Sequence, residues 1–262
     1  MCYNTACICE FMGTAYSGWQ RQKNGKAIQE IIENVLAGIF AQDIKIAGSG
    51  RTDAGVHALG QVFSFKSTMY REPAVVTKAL NGLLPKDIAI LNTVSVPLDF
   101  HAGKSVRSKT YVYKILNRPY PSALHYNRAL WVRAPIDMDM LNETLSYFTG
   151  RHDFASFCVG RTKKENSCRT IYFAKAEKHG DMIDLEINAS GFLHNMVRII
   201  TGTCINIVTK GGKPEDVKSI MAALDRKKAG TTAPACGLYQ KEVFYNTCGI
   251  PGLEGILKAN HT

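Results

Sequence analysis

The 262-residue sequence has no apolar run approaching the roughly 20 residues that span a bilayer, so its reading contains no transmembrane helix. Its eight cysteines, at positions 2, 7, 9, 158, 168, 204, 236 and 248, form no Cys-x-x-Cys pair. No two of its seven histidines stand at metal-ligand spacing. A metal centre is therefore not expected. The cysteines lie mostly in apolar stretches and read as reduced core thiols of a cytosolic protein. Residues Met1–Glu10 lack a basic n-region, so no signal or transit peptide is expected and a cytoplasmic location is the default. Acid is missing from one long window: between His101 and Ile136 there is no Asp or Glu.

That window carries Lys104, Arg107, Lys109, Lys114, Arg118, Arg128 and Arg133. Tyr111, Tyr113, Tyr120, Tyr126 and Trp131 are interleaved with them. The whole chain has a net charge of +10. Uncompensated cations attract a polyanion, and aromatic faces stack on unpaired bases. The plainer reading is a solvated basic face over core aromatics; the length of the acid-free stretch favours nucleic-acid contact. Lys163-Lys164 and Arg226-Lys227-Lys228 read as solvated faces that add to the positive field. Hydrophobic content of 45% with 21% charge places the chain among ordinary globular proteins.

The densest cluster of small residues is Gly48-Ser-Gly-Arg-Thr-Asp-Ala-Gly-Val-His-Ala58. Its glycines let the backbone bend tightly or approach a ligand closely. Arg51 and Asp53 place a cation and an anion two positions apart on this loop. Two readings stand: a functional loop, or a surface turn with a trivial ion pair. The loop has no Gly-Lys-Ser/Thr ending and no dinucleotide-binding spacing, so a nucleotide-phosphate enzyme ranks last.

Periodicity predicts a strand over the first ten residues and an amphipathic helix over 28–40. Short strands are expected at 44–47 and 61–67, a helix from Pro73 to Leu83, and a strand over 88–96. In the second half, 111–116 reads as a strand and 138–148 as a helix. Residues 171–189 read as a hairpin turning at His179-Gly-Asp181, and 192–208 as a long apolar helix ending at Gly211-Gly212. Pro214 opens a short helix, and 238–245 closes as a strand. Each half holds strands punctuated by two helices, which suggests two α+β modules, 1–105 and 106–262. Trp19 reads as packing rather than as an RNA contact. Arg198 lies among apolar neighbours in the long helix; it faces solvent, or it reaches a buried carboxylate.

Gly50-Arg-Thr-Asp-Ala-Gly-Val-His-Ala58 with Gly60-Gln-Val62 resembles the signature of the tRNA pseudouridine synthase A family. Gly13-Thr-x-Tyr-x-Gly-Trp-Gln-x-Gln22, Phe100-His-Ala102 and Tyr111-Val-Tyr113 resemble further blocks of that family. So do Cys168-Arg-Thr-Ile171, Gly191-Phe-Leu-His-Asn-Met-Val-Arg198 and Ala233-Pro-x-x-Gly-Leu-Tyr239. Order and spacing agree over nearly the whole chain. The resemblance implies an isomerase that turns uridine into pseudouridine at positions 38, 39 and 40 of the tRNA anticodon stem-loop. It implies no metal, no organic cofactor, no membrane and a homodimer. It implies an α+β fold of two ferredoxin-like (RRM-like) α/β-sandwich domains. Their mostly antiparallel sheets would join into one extended sheet with helices packed on one side.

By the same resemblance Asp53 is the essential aspartate, Tyr111 the active-site tyrosine and Arg198 the arginine that pairs with the aspartate. Arg51 matches the loop arginine that helps extrude the target base from its stack. Whether the carboxylate attacks the sugar, attacks the base or removes a sugar proton stays open. Arg51, Tyr111, Lys109, His57, Lys104 and Arg107 are the candidate substrate-binding residues; for His57 a structural hydrogen bond is preferred over proton transfer. The family's acid before Gly-Thr is Met12 here, and its Arg after Phe-His-Ala is Gly103, with Lys104 and Arg107 nearby to supply that contact. A non-catalytic RNA-binding protein or chaperone on the same fold is the alternative; it would tolerate loss of Asp53.

Overall fold

The computed structural model describes residues 1–23, 25–160 and 167–245; Lys163, Lys164 and Cys248 lie outside them. Among the described residues there are ten strands and five α-helices, so the fold is α+β with mixed strand pairing. The chain divides into two compact units. One holds Met1–Arg107 and the described residues from Gln240 onward, the other Ser108–Tyr239.

In the first unit β1 (Tyr3–Phe11) is flanked antiparallel by β3 (His57–Ser67) and β4 (Ile88–Val96). The short β2 (Ile46–Gly48) also pairs with β3. Strand side chains alternate between faces. Cys7, Cys9, Phe63 and Phe65 point to the face covered by α1 (Ile28–Phe40) and α2 (Pro73–Leu83). Ile28, Ile32, Leu36 and Phe40 of α1 and Val76 and Leu80 of α2 fill that core. Ala6, Ile8 and Val62 on the opposite face meet Phe100, Ala102 and Val243. Both faces are covered, so β1 and β3 are buried along nearly their whole length. α1 has no side-chain N-cap, so its stability comes mainly from this packing.

β10 (Leu238–Tyr245) lies beside β3, and its residues from Gln240 onward group with the first unit. The division at 1–105 and 106–262 put this strand with the second half. The difference arises because the strand satisfies hydrogen-bonding groups of a partner far away along the chain, which no local pattern records.

In the second unit β5 (Val106–Asn117) pairs antiparallel with β9 (Met182–Ala189), β9 with β8 (Cys168–His179), and β8 with β7 (Gly150–Asp153). β6 (Leu130–Val132) runs parallel to β5. α3 (Met138–Ser146) is capped by Asp137, which accepts from the Asp139 and Met140 N–H groups at 2.9 and 3.1 Å. α4 (Met196–Lys210) ends at Gly211 with φ of 75°, a left-handed position suited to glycine. α5 (Asp216–Ala222) follows.

Helix and strand positions agree with the periodicity over most of the chain. The exceptions bear on the site. β3 begins at His57, β5 begins at Val106, and α4 begins at Met196 rather than at residue 192. β6 and β7, of three and four residues, were too short to carry a period. Among the described residues no helix is long and apolar enough to cross a membrane.

Candidate active site

The Asp53 loop leaves the sheet where β2 stops pairing. Gly48 is the last residue of β2, opposite Phe63, and the Ser49 N–H still donates to the Val62 carbonyl at 2.8 Å. From there the loop is held peptide by peptide. The Gln61 amide donates to the Gly50 carbonyl at 2.8 Å. The Trp19 N–H donates to the Thr52 carbonyl at 3.1 Å, and the Val56 N–H to the Asp53 carbonyl at 3.1 Å. Arg51 is exposed, Thr52 is buried and Asp53 is half-buried.

Two glycines of the N-terminal motif make this clamp possible. A Cβ on Gly13 would stand 1.9 Å from the Val56 carbonyl oxygen. One on Gly18, whose φ is +98°, would stand 2.5 Å from the Thr52 carbonyl oxygen. The separation in sequence between Gly13–Gln22 and the Asp53 loop thus closes in space as backbone against backbone. Trp19 is buried between Phe11 and Phe63, with ring centroids at 6.0 and 6.2 Å. His57 is only 1% exposed, and its Nδ1 accepts the Gly13 N–H at 3.1 Å. It therefore joins the same two segments, and its burial gives it a structural place rather than a surface for RNA.

His101 organises the next motif: its Nδ1 faces the N–H groups of Gly103 and Lys104 at 3.1 and 3.2 Å. A Cβ at Gly103 would lie 2.9 Å from the Gly48 carbonyl oxygen, so a side chain here would press on the strand that feeds the Asp53 loop. Lys104 and Arg107 remain exposed beside it.

In the second unit Tyr111 sits on β5 opposite Ile187, and its buried ring meets Phe192 edge-on at 4.9 Å and 81°. Lys109, two residues earlier, shares its face of the strand. It is half-buried, and burial holds its ammonium below the usual lysine range.

Arg198 lies in the first turn of α4. Its Nε donates to the Ala233 carbonyl and its Nη1 to Asn195 Oδ1, both at 2.7 Å. Asn195 takes up a left-handed φ of 62°, which starts α4 after residue 195 and puts its amide beside the guanidinium. Ala233 is brought there by glycine. A Cβ on Gly202 would stand 1.9 Å from the Thr231 carbonyl oxygen, and one on Gly237 2.6 Å from the Tyr113 ring. Tyr113 is buried and donates to the Pro234 carbonyl at 2.7 Å. Gly202→Ala is expected to cost roughly 3 kcal/mol and roughly 6–12 °C of melting temperature, since overpacking against backbone has little room to relax. Differential scanning calorimetry of the variant checks this.

The acid-free window is partly neutralised in three dimensions. Lys114 meets Asp184 at 3.2 Å and Arg118 meets Asp181 at 3.4 Å, both from the neighbouring β8–β9 hairpin. Its aromatics divide as well. Tyr111 and Tyr113 are core residues, whereas Tyr120 and Tyr126 are 78% and 76% exposed and Trp131 41%. The Trp131 Nε1 donates to the Arg118 carbonyl at 2.9 Å, which ties this exposed segment down. Arg226 is also no mere solvated charge: its guanidinium donates to Thr232 Oγ1 at 3.0 Å and to the Ala229 carbonyl at 3.3 Å.

Two families of residue escape sequence reasoning. Gln61 stands within a motif, and a polar residue among apolar neighbours in a strand is the signal that marks it. Asn195 and Ala233 act on Arg198 through an unusual φ and a backbone carbonyl, neither of which composition reveals.

A family model described as tRNA pseudouridine synthase matches residues 7–128 and 145–246. The chain belongs to the tRNA pseudouridine synthase family. As a member of that family it is an isomerase acting on tRNA. A protein of Clostridium tetani named tRNA pseudouridine synthase A 2 is 42% identical over 248 residues, covering 94% of this chain and 100% of that protein. A tRNA pseudouridine synthase A of Ruminiclostridium cellulolyticum is 41% identical over 237 residues, covering 90% and 97%. The tRNA pseudouridine synthase A 2 of Clostridium perfringens is 40% identical over 242 residues, covering 92% and 99%. The matched segments contain the Asp53 loop with its clamp, Tyr111 and Arg198.

Proposed function

We propose that the protein converts uridine to pseudouridine in the anticodon stem-loop of tRNA, at positions 38, 39 and 40, with Asp53 as the essential carboxylate. The observation that carries the reading is the Asp53 loop. Its carbonyls at Gly50, Thr52 and Asp53 are each hydrogen-bonded, so an acid stands on a loop of small residues whose backbone is held in place. A surface turn with an incidental ion pair needs no such clamp.

The chemistry is an isomerisation. The bond from ribose C1′ to base N1 breaks, a bond from C1′ to C5 forms, C5 loses its proton and N1 gains one. Product and substrate contain the same atoms, so no oxidant or reductant enters. The target base must first leave its stack, at a cost of a few kcal/mol. Arg51, exposed beside Asp53, offsets part of that cost by occupying the vacated space. Tyr111 covers the extruded base and stands by the C5 proton. In this reading Arg198, its guanidinium already oriented by Ala233 and Asn195, keeps the Asp53 carboxylate charged. His57 serves by holding the loop to Gly13.

Lys104 and Arg107 on the first unit, and Lys109 with the exposed Tyr120, Tyr126 and Trp131 on the second, each offer RNA cations or stacking faces. A binding titration checks this: the logarithm of tRNA affinity should fall linearly with the logarithm of salt concentration, by roughly a thousandfold or more in affinity between 50 and 200 mM if about six phosphates are contacted. A flat response would contradict the surface. The functional test maps pseudouridines in tRNA from cells with and without the gene. Loss confined to positions 38, 39 and 40 is expected; an unchanged map would overturn the proposal.

A further inference from the structure

The Asp53 loop is tied to the interior of the first unit by side chains as well as by backbone. Ser49, Gln61 and Gln240 are buried together, the two glutamines with no exposed surface. Gln240 Nε2 donates to Ser49 Oγ at 3.1 Å. Ser49 Oγ donates to Gln61 Oε1 at 2.7 Å, and Gln61 Nε2 donates to the Gly50 carbonyl at 2.8 Å. The three side chains thus form a relay that runs from β10 through the end of β2 to β3 and then to the first peptide of the loop.

The position of this relay gives it more than the usual role of a satisfied buried amide. β2 and β3 pair through Gly48, and the Ser49 N–H makes the last backbone bond to Val62. At Gly50 the chain turns away. The Gln61 side chain reaches the Gly50 carbonyl at that point of departure, three residues before Asp53. It therefore sets the plane of the Gly50–Arg51 peptide. The peptides after Thr52 and Asp53 are already held by Trp19 and Val56. Gln61 constrains the start of the loop. A buried amide that loses its partner pays the full desolvation cost, so the relay tolerates little displacement.

We propose that Gln61, oriented through Ser49 by Gln240, is a positioning residue that sets where Arg51 and Asp53 stand during base extrusion and glycosidic bond exchange. The inference rests on the reading of Asp53 as the essential carboxylate. It predicts a particular split between turnover and binding. Catalytic groups displaced by about 1 Å lose on the order of a hundredfold in rate, whereas phosphate contacts elsewhere on the protein are untouched.

The experiment uses the full chain, an unmodified tRNA transcript and single-turnover conditions. Gln61→Met keeps the volume and removes the amide. Its rate is expected to fall about a hundredfold while the tRNA dissociation constant changes by less than about twofold. Ser49→Ala should lower the rate too. The double variant should be no slower than Gln61→Met alone, because both act through one chain of bonds. A Gln61→Met rate within about twofold of wild type, or losses that multiply in the double variant, would overturn the inference. So would a rate loss that merely follows the fraction of unfolded protein seen by circular dichroism. If Gln61→Met does not fold, Gln240→Met carries the test: a loss of about tenfold at unchanged affinity is expected, and an unchanged rate refutes the relay. Asp53→Asn in the same assay separates the two levels. Turnover by that variant defeats the functional reading itself. An inactive Asp53→Asn beside a fully active Gln61→Met defeats only the positioning role.

Discussion

Arg198→Met should lower the single-turnover rate of pseudouridine formation by roughly a hundredfold to a thousandfold. In the proposed mechanism Arg198 keeps the reacting carboxylate charged; losing one preorganised electrostatic stabiliser costs roughly 2.7–4 kcal/mol, and each 1.4 kcal/mol is about tenfold in rate. The methionine keeps the unbranched apolar stem, so packing within α4 changes little. What disappears is a guanidinium oriented by the Ala233 carbonyl and Asn195 Oδ1, each at 2.7 Å. Arg198→Lys tests the geometry separately. An ammonium keeps the charge but cannot present the planar fork, so the lysine variant should recover only part of the lost rate. Rate measurements at saturating enzyme, with affinity read by filter binding, distinguish the two variants from a binding defect. If Arg198→Met turns over within about threefold of wild type, the arginine plays no part in stabilising the reacting carboxylate.

Asp53→Asn should remove turnover altogether while leaving tRNA affinity within about threefold. The amide is nearly the same size and shape as the carboxylate, and Asp53 is only half-buried, so the loop has room to keep its course. The bonds that fix the loop are made by backbone atoms of Gly50, Thr52 and Asp53 and survive the change. An amide, however, neither attacks a sugar or a base nor accepts a proton from ribose. All three routes open to the carboxylate therefore close with one substitution. The contrast with Gln61→Met is instructive, since that variant keeps the carboxylate and disturbs only its support.

Much of this architecture was legible in the sequence because the relevant signals are local. The apolar spacing of Ile28, Ile32, Leu36 and Phe40 marks α1 within its residues, and Pro73 marks the start of α2. The Asp53 loop stood out because glycine, alanine and a pair of opposite charges seldom coincide without a reason. What escaped depends on partners distant in the chain or on single dihedral angles. α4 starts late because Asn195 adopts a left-handed conformation, although Phe192 and Leu193 continue the apolar character of the helix. β10 groups with the first unit from Gln240 onward, and its neighbour β3 lies far upstream. The basic window looked uncompensated because Asp181 and Asp184, which meet Arg118 and Lys114, sit on a hairpin more than sixty residues away.

The same distinction applies to the candidate site residues. Asp53, Tyr111 and Arg198 were visible as residue types in recognisable motifs. Their supports were not. Gly18 matters because the Thr52 carbonyl passes 2.5 Å from where its Cβ would be, and Gly202 because the Thr231 carbonyl passes at 1.9 Å. Such close approaches are properties of two segments at once. Reading one segment shows only that a glycine is there.

The most direct test of the account follows the hydrogen at C5. An unmodified tRNA transcript carrying tritium at C5 of its uridines is mixed with excess purified protein, and released tritium is counted beside mapped pseudouridines. Wild type should release one tritium for each pseudouridine formed in the anticodon arm, and Asp53→Asn should retain the tRNA and release none. Release by Asp53→Asn at a rate comparable to wild type would contradict the claim that this carboxylate drives the reaction.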